Sequence, residues 1–130
     1  MSREILQPAG WARPRGYANG VAAQGRQVFV AGQIGWDAEQ RFASDDFAAQ
    51  VRQALANVVA VLACVGAKPE HLVRMTWYVT SRDEYNASLA GIGAAWRELI
   101  GRHYPAMSVV IVAGLLEPRA KVEIEATAVV

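Results

Sequence analysis

The stretch from Pro105 to Val130 constrains the fold more than any other part of the chain. It reads as two strands joined by a turn. The first runs from about Ser108 to Ala113, a near-unbroken apolar run of the kind found in strands covered on both faces. Gly114 and Pro118 punctuate the connection. The second, Lys121 to Val130, alternates: Val122, Ile124, Ala126 and Ala128 fall on one face, and Lys121, Glu123, Glu125 and Thr127 on the other. Two carboxylates on one strand face amid so much apolar sequence invite a functional reading. A solvated face is the plain alternative.

The rest of the chain supplies partners for these strands. Residues 1–16 carry Pro8, Gly10, Pro14 and Gly16 and read as an irregular lead-in. Tyr17 to Gln24 is a candidate first strand, and Gly25-Arg26 a candidate hairpin turn. Gln27 to Ile34 is a clearer strand, with Val28, Val30, Gly32 and Ile34 on one face. Gly32 inside it marks a bulge, a close backbone approach or simple packing. After a loop over residues 35–42, Ser44 or Asp45 can cap a helix. Phe47, Val51, Leu55, Val58 and Leu62 recur at helical spacing, which predicts an amphipathic helix over 46–65 that Gly66 stops. Gln50, Gln53 and Asn57 form a polar stripe on it. An asparagine deep in a helix has poor propensity and points to a hydrogen bond with a neighbouring loop.

Lys68-Pro69-Glu70 restarts the chain. Leu72 to Thr80 is a third strand, with Val73, Met75, Trp77 and Val79 opposite Arg74, Thr76 and Tyr78. Ser81 or Asp83 caps a second helix with an apolar face of Tyr85, Leu89, Ile92, Trp96 and Leu99 or Ile100, and Gly101 ends it. The order β-β-α-β-α-β-β predicts an α+β fold, a mixed sheet with both helices on one face. The other face then needs a different cover, which identical subunits packing their sheets together would supply.

One domain over 1–130 is expected from the length. A hydrophobic share of 53% is ample for a core and hints at further burial in an oligomer. A formal net charge of +1 gives no electrostatic footprint for nucleic acid or a membrane surface. No signal peptide and no apolar run of about 20 residues is visible, so a cytoplasmic protein is expected. Cys64, the single cysteine, sits among Val61, Leu62 and Val65 and reads as a buried small hydrophobe. There is no P-loop, no Gly-x-Gly-x-x-Gly and no Cys-x-x-Cys. His71 and His103 are far apart in sequence with no metal-like neighbours, so no metal is expected.

The ordered set of Gly16-Tyr17-Ala18-Asn19-Gly20-Val21, Val28 to Ile34, Gln50 with Asn57, Val73 to Val79, Pro105-Ala106-Met107-Ser108 and Val122-Glu123-Ile124-Glu125-Ala126 resembles the Rid family, also called YjgF or L-PSP. The resemblance covers nearly the whole chain. It implies a chorismate-mutase-like fold, a homotrimer with a central barrel, and active sites in clefts between subunits. The family's deaminases hydrolyse enamines and imines such as 2-aminoacrylate to a keto acid and ammonia, without metal or organic cofactor. The resemblance places a glutamate that handles water at Glu123 and a tyrosine at Tyr17. Backbone around Gly32 and Val109 lines the cleft.

The chain departs from that pattern at one telling position. The family's Pro-Ala-Arg-Ser-like motif supplies an arginine that grips the substrate carboxylate in a two-pronged contact, and here that residue is Met107. Losing such a contact costs about 2–5 kcal/mol of binding. The serine after the tyrosine is Ala18. Three readings follow. A divergent deaminase would hold its small-molecule substrate through Arg15 or Arg74, with Trp36, Trp77 or Tyr78 shaping a pocket for a longer conjugated compound such as 2-aminomuconate. A non-catalytic trimer would bind a metabolite or regulate other proteins. An L-PSP-type endoribonuclease would need a basic surface and catalytic histidines, which the sequence does not offer. For Arg15 and Arg74 the plain alternative is a solvated side chain or an interface ion pair.

Overall fold

The computed structural model describes residues 3–130. Four strands make the main sheet: β3 (Gln27–Ile34), β4 (Leu72–Val79), β5 (Ala106–Ile111) and β6 (Val122–Val129), in the order β3-β6-β4-β5. β6 pairs antiparallel with both β3 and β4, while β5 runs parallel to β4. The mixed α+β fold expected from the sequence is therefore present. The two terminal strands, read from the sequence as joined by a turn, are separated in the sheet by β4.

A second sheet has two strands. β1 (Arg3–Leu6), which falls in the expected irregular lead-in, pairs antiparallel with β2 (Gly20–Ala23). Gly25-Arg26 is thus no hairpin turn. Arg26 instead exchanges both backbone hydrogen bonds with Val130 and prolongs the β3–β6 ladder.

The helices are α1 (Phe47–Ala63), α2 (Arg82–Ala87) and α3 (Leu89–Leu99). Asp46, one residue beyond the expected caps, caps α1 by accepting from the Ala49 N–H, while the Ser44 hydroxyl accepts from Asp46 N–H. The single helix expected after residue 81 is two helices that break at Ser88, capped at its start by Ser81. Leu89 borders an open cavity rather than the core, so only Ile92, Trp96 and Ile100 of the expected apolar face are buried. Both helix-stopping glycines, Gly66 and Gly101, have positive φ.

The core lies between helices and sheet. Val51, Leu55, Val58 and Leu62 of α1 pack with Leu72, Met75, Trp77 and Val79 of β4 and Val122, Ile124, Ala126 and Ala128 of β6. The register of β4 slips between Leu72 and Arg74, which puts Leu72 rather than Val73 in the core. Gln50 is the buried polar exception. Its amide donates to the Ser44 and Arg119 carbonyls and accepts from Lys121 N–H, tying α1 to the entry of β6. Asn57 does what its position requires: it donates to the Ile34 and Trp36 carbonyls at 3.0 and 2.8 Å, fixing the loop after β3.

Two expectations fail on exposure. β5 is an edge strand whose Val109, Val110 and Ile111 are exposed in the single chain, so its apolar run does not reflect cover from within. Cys64, just past the end of α1, is also exposed. Among the described residues no helix is long and apolar enough to cross a membrane.

Candidate functional site

The sheet has two unlike faces, and the residues singled out from the sequence divide between them. On the helix side, at the β5 edge, a cavity of about 490 Å³ is lined by Arg15, Tyr17, Trp77, Met107 and Val109. Its size suits a small ligand. Tyr17 is held there because Ala18 adds a short parallel bridge to Ala106, with Ala18 N–H donating to the Pro105 carbonyl. Met107 and Val109 sit beside Met75 and Trp77 in the parallel ladder and so share their face.

Sequence reasoning missed the opposite wall, which α2 and α3 provide. Tyr85, Ile92, Gly93, Trp96 and Arg97 line it, with Tyr104 from the loop before β5. Trp96 and Tyr104 stack with centroids 6.0 Å apart, and Trp77 lies 6.3 Å from Trp96, tilted by 37°. The cavity is thus backed by a row of aromatic rings. Burial raises the Tyr85 phenol above its ordinary value, so it stays a neutral donor. The indole N–H groups of Trp77 and Trp96 are buried and have no acceptor among the described residues. The sequence signal that could have found this wall is the helical spacing of Tyr85, Ile92 and Trp96, which reads equally well as core.

On the other face, Glu123 occupies a special place. β3 carries one extra residue between Val30 and Gln33, a bulge against β6. The bulge breaks the expected alternation: Val30 stays on the core face opposite Ala126, while Ile34 pairs with Glu123 and Gly32 comes to lie under the Glu123 side chain. A side chain at Gly32 would collide with the Glu123 carboxylate, whose carbon lies 2.7 Å from an ideal Cβ. Both sequence readings of Gly32, bulge and close approach, therefore hold together. The Glu123 side chain makes no hydrogen bond or ion pair among the described residues. Its neighbour Glu125 does: it accepts from the Tyr78 hydroxyl at 2.6 Å. That hydrogen bond, ahead of burial and the nearby carboxylate charges, raises the Tyr78 phenol above its usual value. Arg74 lies with Phe29, Thr76, Glu125 and Thr127 around a shallow depression on this face, apart from the Met107 cavity.

The single chain thus gathers Arg15, Tyr17, Trp77, Met107 and Val109, and places Glu123, Gly32 and Arg74 across the sheet from them. A third group was not foreseen. His71 and His103, distant in sequence, both line a cavity of about 940 Å³ with Arg3, Arg13 and Arg102 beneath the β1–β2 sheet. Among the described residues no three His, Cys, Asp or Glu side chains cluster as a metal site would require.

Comparison with known proteins agrees with this architecture. The family model described as endoribonuclease L-PSP matches residues 11–130. A 2-iminobutanoate/2-iminopropanoate deaminase of Salmonella typhimurium is 33% identical, over 99% of this chain and 98% of that protein. The crystal structure of the Rid-family protein YyfB from Yersinia pestis, of unknown function, superposes with a TM-score of 0.88 at 33% identity, covering both chains fully. The YjgF gene product of E. coli superposes at 0.68 with 32% identity over 87% of each chain.

Proposed function

The chain belongs to the Rid/YjgF family of endoribonuclease L-PSP-like proteins, and on that premise we propose that it is an imine or enamine deaminase acting on a small unsaturated amino acid. The observation that carries the reading is Glu123. It is a carboxylate with no structural partner among the described residues, laid over a glycine that a bulge has placed beneath it. Fold stability alone gives no reason for that arrangement.

The chemistry asks little more than positioning and proton transfer. An enamine tautomerises to the imine, water adds to the C=N carbon, and the resulting carbinolamine expels ammonia to leave a keto acid. Glu123 takes a proton from the attacking water and returns it to the departing nitrogen. The aromatic residues Trp77, Trp96 and Tyr104, with Met107 and Val109, suit a flat, conjugated carbon chain such as that of 2-aminomuconate better than the three-carbon 2-aminoacrylate. No cofactor enters this scheme.

Glu123 and the Met107 cavity lie on opposite faces of one sheet, so the reading requires a second subunit. In a homotrimer whose helix-free faces turn inward, Glu123 of one subunit would complete the cavity of the next. Support comes from Phe29, 72% exposed on the helix-free face, and from exposed Val110 and Ile111 at the β5 edge. The test is ammonia release above the spontaneous rate, with 2-aminoacrylate generated in situ and 2-aminomuconate in parallel. Turnover that favours 2-aminomuconate is expected. Silence on both would leave the metabolite-binding trimer, which Met107 already favours.

One observation favours the endoribonuclease reading: the cavity where His71 and His103 meet three arginines. His71 Nδ1 accepts from Lys68 N–H at 2.8 Å, which leaves only its Nε2 to act on a ligand. Cleavage of a labelled RNA that survives Glu123→Gln but not His103→Ala would support it.

A further inference from the structure

We propose that Arg97, helped by Arg15, binds the substrate carboxylates in place of the arginine that Met107 displaces, and that the cleft takes a dicarboxylate. The inference rests on the deaminase cleft described above and names its substrate class.

Arg97 lies on α3, where the family's carboxylate-binding motif gives no reason to look, yet it lines the same cavity as Met107. Its guanidinium folds back one turn over Gly93: an ideal Cβ there would sit 3.2 Å from Arg97 Nη1. Gly93 itself lines the cavity, so the glycine leaves room for the guanidinium at the cavity wall. Arg15 lines the cavity as well. The described residues give neither arginine an ion pair or a side-chain hydrogen bond. Other exposed arginines here do find partners, Arg52 with Glu98 and Arg119 with Asp45. Two guanidiniums at one cavity with no carboxylate among its lining residues call for two anionic groups from outside.

The indoles serve the carbon chain between the two carboxylates. Trp77 and Trp96 are 1% and 6% exposed, and both line the cavity. Their N–H groups are sealed from the cavity, so the rings meet a ligand through their apolar parts. Arg15 and Arg97 can thus fix the two ends of a flat chain along the aromatic row, and Met107 packs against its apolar middle.

The test is calorimetric binding of two unreactive keto acids, 2-oxobutanoate with one carboxylate and 2-oxoglutarate with two. The wild-type protein should bind the dicarboxylate at least tenfold more tightly. Arg97→Met should erase most of that preference, Arg97→Lys should keep part of it, and Met107→Arg added to Arg97→Met should restore affinity for 2-oxobutanoate. Circular dichroism and sedimentation checks that each variant keeps its fold and assembly. Equal affinity for the two acids, no binding of either, or unchanged affinity in Arg97→Met would each overturn the proposal. Because binding is read without turnover, a protein that binds the dicarboxylate but releases no ammonia would overturn the deaminase reading and leave this one standing.

Discussion

The two faces of the main sheet obey different rules. The helix-covered face is apolar, and its one buried polar residue, Gln50, makes three hydrogen bonds at 1% exposure, while the only unpaired buried side-chain donors among the described residues are the indole N–H groups of Trp77 and Trp96. The bare face carries Arg74, Thr76, Tyr78, Glu123 and Glu125 beside an exposed Phe29, and its Glu123 is engaged with nothing among the described residues. A face organised only for stability pairs its polar groups. One that leaves a carboxylate over bare backbone while exposing a phenylalanine is organised for contact with something else.

The largest effect should come from the unpaired carboxylate. Glu123→Gln keeps shape and size, so we expect deaminase turnover to fall by about 10²–10⁴-fold with an unchanged sedimentation profile. Unchanged turnover would remove Glu123 from the chemistry. Gly32→Ala should do nearly the same by pushing the carboxylate aside. Next comes Phe29→Glu, which should leave the circular dichroism spectrum intact while dissociating the proposed trimer in analytical ultracentrifugation. A trimer that survives it would mean the bare face is not the assembly surface.

On the covered face the losses should appear in stability rather than in assembly. Gln50→Ala strands two carbonyls and one N–H, and should cost about 2–3 kcal/mol in urea unfolding. Asn57→Ala frees two carbonyls nearer the surface and should cost about 1–2 kcal/mol. If either substitution were neutral, the contrast between a satisfied and an unsatisfied face would lose its force.

The smallest effect concerns Tyr78. The Glu125 hydrogen bond raises its folded-state pKa above the ordinary 10.0, so the stability this contributes is fully present below that pH and is lost as pH rises through the raised value. In an ultraviolet titration Tyr78 should ionise late. Glu125→Gln should advance it, and a titration curve that does not move would place the cause elsewhere.

Much of this was legible in the sequence, for identifiable reasons. β6 and α1 announce themselves because each alternates or repeats against one apolar partner, so period and burial coincide. Asn57 was legible because its helix gave it no local use. β5 was misread: its apolar run signals cover, yet nothing within the described residues covers it. β1 escaped because Arg3–Leu6 is short, mixed in polarity and pairs only with β2. The Ser88 break was invisible because the helical period continues through it. Of the site, Tyr17, Met107 and Val109 could be placed from their neighbours in the chain. Arg97 could not, since an arginine on a helix reads as solvated. Only the fold sets it beside Met107, with Gly93 one turn earlier as its sole trace.

The central claim is that a cavity on one face is completed by a carboxylate from the opposite face of another subunit. Co-expression of two variants tests it most directly. Glu123→Gln spoils one half of the site, and Met107→Glu spoils the other by repelling the substrate carboxylates. Each alone should be inactive. About a quarter of all sites in the randomly assorted population should regain activity, because each mixed trimer then holds one intact cavity faced by an intact Glu123 of its neighbour. Activity that stays at the level of the separate variants would contradict the account and confine the site to one chain.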